Sequence, residues 1–171
     1  MDTFLAIASR RDERRYLSTA LPGDVVERIL DAGRLAGSAR NGQPWTVVVP
    51  GTRERVLALA EAVFVPDNVR SAGLVVGVVV SGTGPTAFDA GRAAQNMLLA
   101  AWSEGIASCP NGVADQERAR AALSAGEDER VAIVLSFGVQ ERPRDVTARS
   151  AADWSARANR RPLADVVRRL P

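Results

Sequence analysis

The chain has 171 residues, 46% apolar and 25% charged, with a formal net charge of +2. That suits one folded domain with its own core, and argues against wholesale disorder and against a general nucleic-acid binder. All 22 basic residues are arginine, histidine is absent and there is one cysteine, which excludes Ser-His-Asp and Cys-His catalysis, Schiff-base lysine chemistry, histidine metal sites and the phosphate-loop lysine.

Residues 2–9 read as a short amphipathic helix. Asp24 and Glu27 resemble a capping box, and Val26, Ile29, Leu30 and Gly33 share a face, so 24–36 reads as a helix. Trp45 to Val49 is a β-branched run closed by Pro50-Gly51, a strand and a turn. Helical spacing returns over 52–63. Gly73 to Ser81 is continuous and valine-rich, the pattern of a strand buried on both faces. Gly82-Thr83-Gly84-Pro85 lacks the third glycine of a dinucleotide loop and reads as a plain loop. Residues 87–104 form the strongest helix, with Ala90, Ala94, Met97, Leu98, Ala101 and Trp102 on one side and Gly105 as its stop. Another helix is expected over 115–125, and a third buried strand from Val131 to Phe137. The last thirty or so residues are rich in arginine and poor in apolar surface, a tail that wraps over the body or over a partner. The order predicts an α+β, three-layer domain around a central sheet.

One cysteine cannot form an internal disulfide, so a reducing cytoplasm is the expected compartment. The opening MDTFLAIASRRDERR places its apolar stretch before its charges, the wrong order for a signal peptide. The run Leu74 to Val80 is too short to span a bilayer. No membrane or nucleic-acid partner is expected.

Three constellations can carry chemistry. The first is Ser9-Arg10-Arg11-Asp12-Glu13-Arg14-Arg15-Tyr16. On a helix Arg10 and Arg14 share a face, whereas in extended chain they fan apart. Four guanidinium groups so close call for carboxylates or a bound anion, and a second arginine cluster (Arg160, Arg161, Arg168, Arg169) lies near the other end. The second is Gly37-Ser38-Ala39-Arg40-Asn41-Gly42-Gln43-Pro44-Trp45, where amides, a hydroxyl and glycines suit a heteroaromatic edge and a polyol. The third is Cys109-Pro110-Asn111-Gly112, read as a loop able to aim a backbone N–H at a ligand. With no histidine or lysine in the chain to activate it, Cys109 is not read as a nucleophile. An enzyme so poor in acid–base groups calls for an organic cofactor.

In this order the stretches resemble the nitroreductase family of FMN-dependent oxidoreductases. Arg10, Arg11, Asp12 and Arg14 match its arginine-rich opening. Ser38, Asn41, Gln43, Pro44 and Trp45 match its N-x-Q-P-W segment. The helix from Asp89 to Ala101, the loop Pro110-Asn111-Gly112, the strand end Leu135-Ser136-Phe137-Gly138 and the close Arg160-Arg161-Pro162-Leu163 follow in turn.

The resemblance implies a three-layer α/β/α fold with a central mixed sheet, in an intertwined homodimer. It implies one domain over 1–171, with 140–171 reaching across the dimer. The implied cofactor is FMN. Arg10, Arg11 and Arg14 would hold its phosphate and ribityl end and the flavin edge, joined at the phosphate by Arg160 or Arg161, while Asp12 can accept from ribityl hydroxyls. Ser38, Ala39, Asn41 and Gln43 would come from the other chain. Backbone around Pro110, Asn111 and Gly112 would face flavin N5, and Asn68 would reach the pyrimidine edge. No side chain is assigned as catalytic and no metal is expected. The implied reaction passes a hydride from NAD(P)H through the flavin to flat acceptors such as quinones and nitroaromatics. A different flavin or deazaflavin reaction, or a non-catalytic flavin-binding role, stays open. Asp12 stands where the family usually has serine, and Gly37 where it has proline. The short stretch between 105 and 131 implies an open site.

Overall fold

The computed structural model describes residues 1–170. In chain order the elements are α1 (Thr3–Ser9), β1 (Tyr16–Leu17), α2 (Gly23–Arg34), β2 (Trp45–Val48), α3 (Arg53–Ala60), α4 (Asp67–Arg70), β3 (Leu74–Val80), α5 (Thr86–Ser103), β4 (Ile106–Asn111), α6 (Gln116–Leu123), β5 (Arg130–Gln140), α7 (Ala151–Ala156) and α8 (Leu163–Val166). They form two compact units: Arg11–Pro143, and Met1–Arg10 together with the chain from Arg144 onward.

In the central unit every residue of β3 is buried, because the sheet is covered on both sides. Val76, Val78 and Val80 join a core with Ile29 of α2 and with Met97, Leu98 and Ala101 of α5. Val75 and Val79 point the other way, into a core with Leu59 of α3, Val69 of α4 and Leu123 of α6. The strand still alternates with period two, but both faces demand apolar residues, so its sequence reads as a continuous valine run. Each buried valine contributes about 1.5–3 kcal/mol over an exposed one. At Gly77 a Cβ would run into Leu123, so glycine there lets α6 lie close on the sheet. This is the expected three-layer arrangement.

The strand β5 organises the sheet. It pairs antiparallel with β3 on one side (Phe137 opposite Leu74) and with β4 on the other (Phe137 opposite Ser108). Beyond Phe137, β1 takes up the side that β3 has left, with Tyr16 opposite Gln140. The edge strand β2 pairs antiparallel with β3. The parallel component of the expected mixed sheet is confined to one isolated bridge, Asp12 to Ser108.

Two local expectations are corrected. The Asp24–Glu27 capping box does not form: Pro22 holds the cap position, α2 starts at Gly23, and Asp24 pairs with Arg28 at 3.1 Å. Cys109, Pro110 and Asn111 are not a loop but the end of β4, opposite Ser136, Leu135 and Val134. Ladder bonds to a long central strand outweigh the weak strand propensity of a sequence such as IASCPN.

The second unit contains α1, whose N-terminus Asp2 caps with bonds of 3.0 Å to the amides of Phe4 and Leu5, and α7, which opens on a capping box between Ser150 and Asp153. Its centre is buried Trp154. The indole N–H donates to the Val146 carbonyl at 2.9 Å, and the Arg149 guanidinium lies 4.9 Å from the ring centre, a cation–π arrangement. Among the described residues no helix is long and apolar enough to cross a membrane.

Candidate functional site

The arginine-rich segment is not a helix. The helix α1 ends at Ser9 with Arg10 as its cap, so Arg10 belongs to the terminal unit while Arg11, Asp12 and Arg14 belong to the central one. The segment runs beside β4: Asp12 bridges Ser108, and the Glu13 amide donates to the Ser108 carbonyl at 3.1 Å. Asp12, Glu13, Arg14 and Arg15 then line an open depression with Gln140, Glu141 and Arg142. Arg14 and Arg15 are exposed.

Tyr16 pins this segment to the sheet. Its hydroxyl donates to the Glu13 carbonyl at 2.7 Å and lies 3.0 Å from the Ser136 hydroxyl. Ser136 opens a buried polar network. The Asn68 amide nitrogen donates to Ser136 Oγ at 2.9 Å and to Asn111 Oδ1 at 2.7 Å. Asn68 is 1% exposed and Asn111 4%. The remaining oxygen of Asn68, Oδ1, is buried and has no hydrogen-bond partner among the described residues. An orphaned buried acceptor costs about 1–3 kcal/mol.

Burial pushes the Tyr16 phenol up out of the ordinary tyrosine range, and the Ser136 bond only partly opposes this. The folded state therefore keeps a proton that the unfolded chain loses near pH 10. Stability from this group is complete below that pH and falls above it, by up to about 1.4 kcal/mol per pH unit. The chain has one tyrosine, so tyrosinate absorbance reads Tyr16 alone. In an alkaline titration we expect the tyrosinate band to rise only together with loss of the folded circular-dichroism signal. A band rising while the fold persists would contradict the burial.

Asn68, Asn111 and the arginine-rich segment are thus gathered by contacts. Pro110 is half-buried next to Asn111, and Gly112 is exposed. At Gly112 a Cβ would lie 3.2 Å from the ring of Phe64, itself 73% exposed.

The segment Ser38–Gln43 is held apart from that network. Ala39–Asn41 form a 3-10 turn between α2 and β2. Arg40, Asn41 and Gln43 all have positive φ (53°, 56° and 46°), a costly conformation for non-glycine residues. The turn is closed by the Gln43 amide donating to Ser38 Oγ at 2.8 Å. It is tied to α5 by the Ala39 amide donating to Asp89 at 3.2 Å. Strain, exposed amides and a rigid base are the marks of a ligand-contacting turn. Arg160 and Arg161 lie in the terminal unit, exposed, with bonds to the carbonyls of Ala158 (3.2 Å) and Asp165 (2.8 Å).

Tyr16 and Ser136 escaped the sequence reading as site residues. The available signal was position: Tyr16 directly follows the arginines, and Ser136 lies in the apolar run Val131 to Phe137.

The Nitroreductase family model matches residues 7–72 and 83–139. A protein of Archaeoglobus fulgidus, provisionally named NADH dehydrogenase/NAD(P)H nitroreductase, is 31% identical over 150 residues, 81% of this chain and 86% of that protein. A protein of the same provisional name from Methanothermobacter thermautotrophicus is 31% identical over 118 residues, 66% of this chain; the match spans 62% of that relative's length. Among solved structures, the NADPH:FMN oxidoreductase of Vibrio harveyi, complexed with NAD+, superposes with a TM-score of 0.83 at 21% identity, covering 98% of this chain and 76% of that one. That likeness shows the shared fold.

Proposed function

The chain belongs to the nitroreductase family, and from that premise we propose that it is an FMN-dependent NAD(P)H oxidoreductase acting as a homodimer. One observation carries the reading: Asp12, Glu13, Arg14 and Arg15 are held beside β4, by the bridge to Ser108 and by the Tyr16 hydroxyl, along an open depression shared with Gln140 and Arg142. The residues fit the cofactor. Arginines along an open depression suit a phosphate.

Bound FMN would supply the redox chemistry, accepting a hydride from NAD(P)H and passing electrons to a flat acceptor such as a quinone or nitroaromatic. The chain's part is binding and orientation. Arg11 and Arg14 hold the phosphate end, and Asp12 accepts from ribityl hydroxyls. Backbone at Pro110, Asn111 and Gly112 faces the reactive edge. Ser38, Ala39, Asn41 and Gln43 reach the site from a second copy of the chain, which gives their strained turn a ligand. Arginine and N–H groups stabilise negative charge on the reduced cofactor. With neither histidine nor lysine in the sequence, no side-chain acid or base is assigned. Donor and acceptor use one face in turn, so ping-pong kinetics are expected.

The test is a visible spectrum of the protein titrated with FMN and passed through gel filtration. Flavin bands that stay with the protein at about one per chain are expected for a preorganised site of this kind. A colourless protein that releases added FMN would overturn the reading.

A further inference from the structure

The strained turn before β2 is fixed both in shape and in direction. Ser38 enters it extended (φ −141°, ψ 164°), and Arg40, Asn41 and Gln43 hold their positive φ within it. The bond from the Gln43 amide to Ser38 Oγ sets the shape. The direction is set from α5, 50 residues away, where Asp89 Oδ2 accepts from the Ala39 amide at 3.2 Å. Asp89 stands in the first turn of α5 and is 2% exposed. Burying an acid is costly unless it is hydrogen-bonded, and an apolar side chain would fill the space more cheaply. An acid at this position therefore points to the bond it makes. One helical turn further on, Arg92 lies against Gly37, where a Cβ would meet its guanidinium. The start of α5 thus grips the turn on both sides of Ser38, while Asn41 and Gln43 stay exposed.

We propose that Asp89 is a positioning residue for a cofactor held mainly by the other copy of the chain, an inference that rests on the flavin reading. Asp89 touches no ligand. It keeps Ala39 in place, and with it the exposed side chains of Asn41 and Gln43. The conformational cost of the turn is then met on folding and not on binding. Without the tie the turn relaxes toward ordinary backbone angles. The binding form becomes a minor fraction, and the apparent affinity falls by that fraction.

Fluorescence titration with FMN reads the effect. The folded Asp89→Ala chain is expected to bind FMN at least about tenfold more weakly, the size of one lost hydrogen bond. Asp89→Asn keeps an acceptor oxygen for Ala39 and should stay within about threefold of the wild type. Ala39→Pro removes the same bond from its other end; the extended Ser38 and the first position of the 3-10 turn both accept a proline. It carries the test where Asp89→Ala fails to fold, and the two changes together should cost little more than either alone. Mixed dimers separate positioning from general support of the fold. Asp89→Ala is co-expressed with Arg11→Ala/Arg14→Ala under a second affinity tag, and the mixed dimer is isolated. One of its sites carries both defects and the other carries neither, so one tightly held FMN per dimer is expected. A loss that spreads through a damaged fold, or a turn that serves its own chain, leaves no tight site. Unchanged FMN affinity in the folded variants, a mixed dimer with no tight site, or a chain that binds FMN as a monomer would overturn the inference and leave FMN binding standing. A wild-type chain that takes up no FMN overturns both.

Discussion

Replacing Arg11 and Arg14 together by alanine is expected to weaken FMN binding by about 100-fold or more. A charge-assisted hydrogen bond contributes roughly 1.5–3 kcal/mol, and two guanidinium groups acting on one phosphate remove at least twice the lower figure. The folded chain offers little compensation. Arg14 is exposed and shares its depression with Asp12, Glu13 and Glu141 as well as Arg15 and Arg142, so the carboxylates there balance the arginines and each guanidinium counts. The variant is expected to keep its fold, since backbone bonds and Tyr16 hold segment 11–15 to the sheet. Riboflavin, which lacks the phosphate, separates the roles: its affinity should be nearly the same in the variant and the wild type. Fluorescence titration of both ligands reads the result. Unchanged FMN affinity would remove the arginines from the site, and an equal loss for riboflavin would mean that the whole site had collapsed. Raising the salt concentration should weaken FMN in the wild type and have little effect in the variant.

The pattern was readable where one physical demand dominated. Both faces of β3 are covered, so its valine run announces a buried strand, and α5 must lie flat on the sheet, so its small and apolar residues fall at helical spacing. The strand β4 gave no such signal. Its polar residues Ser108 and Asn111 are buried within the structure and its ladder depends on β5, which follows about twenty residues later. The first site segment was recognisable as an arginine cluster, but sequence alone could not choose between helix and extended chain; the end of α1 at Ser9 settles it. Asn68 and Asn111 were reached through the family pattern. Ser136 entered that pattern only as part of a strand end, and Tyr16 only as the close of the arginine-rich stretch, because their shared role is tertiary: they are 120 residues apart, and neither has a local reason to be polar. An acceptor left over at Asn68 is likewise invisible until the partners of its nitrogen are known.

Gly138→Ala should both destabilise the fold and disturb the site. Tyr16 is paired with Gln140 across the β1–β5 ladder, so its ring falls over the same-face neighbour two residues back, Gly138. A Cβ there would stand 2.5 Å from Tyr16 Cγ and 2.6 Å from its Cβ. These atoms are at the root of the side chain, where no rotation relieves the clash, so β1 itself must shift. That shift breaks the Tyr16 bonds to Glu13 and Ser136. Overpacking and the lost bonds together predict a cost of about 2–4 kcal/mol, a fall in melting temperature of roughly 5–15 °C for a chain of this size. FMN affinity should fall as well, because Tyr16 holds the backbone that carries Arg14. Gly51→Ala is the control: nothing lies within 4 Å of its added carbon, and its melting temperature should stay near that of the wild type. In a Tyr16→Ala background the ring is gone, and Gly138→Ala should cost little more; that coupling is what a double-mutant cycle measures. Equal costs of Gly138→Ala with and without the ring would show that the glycine serves something other than the seat of Tyr16.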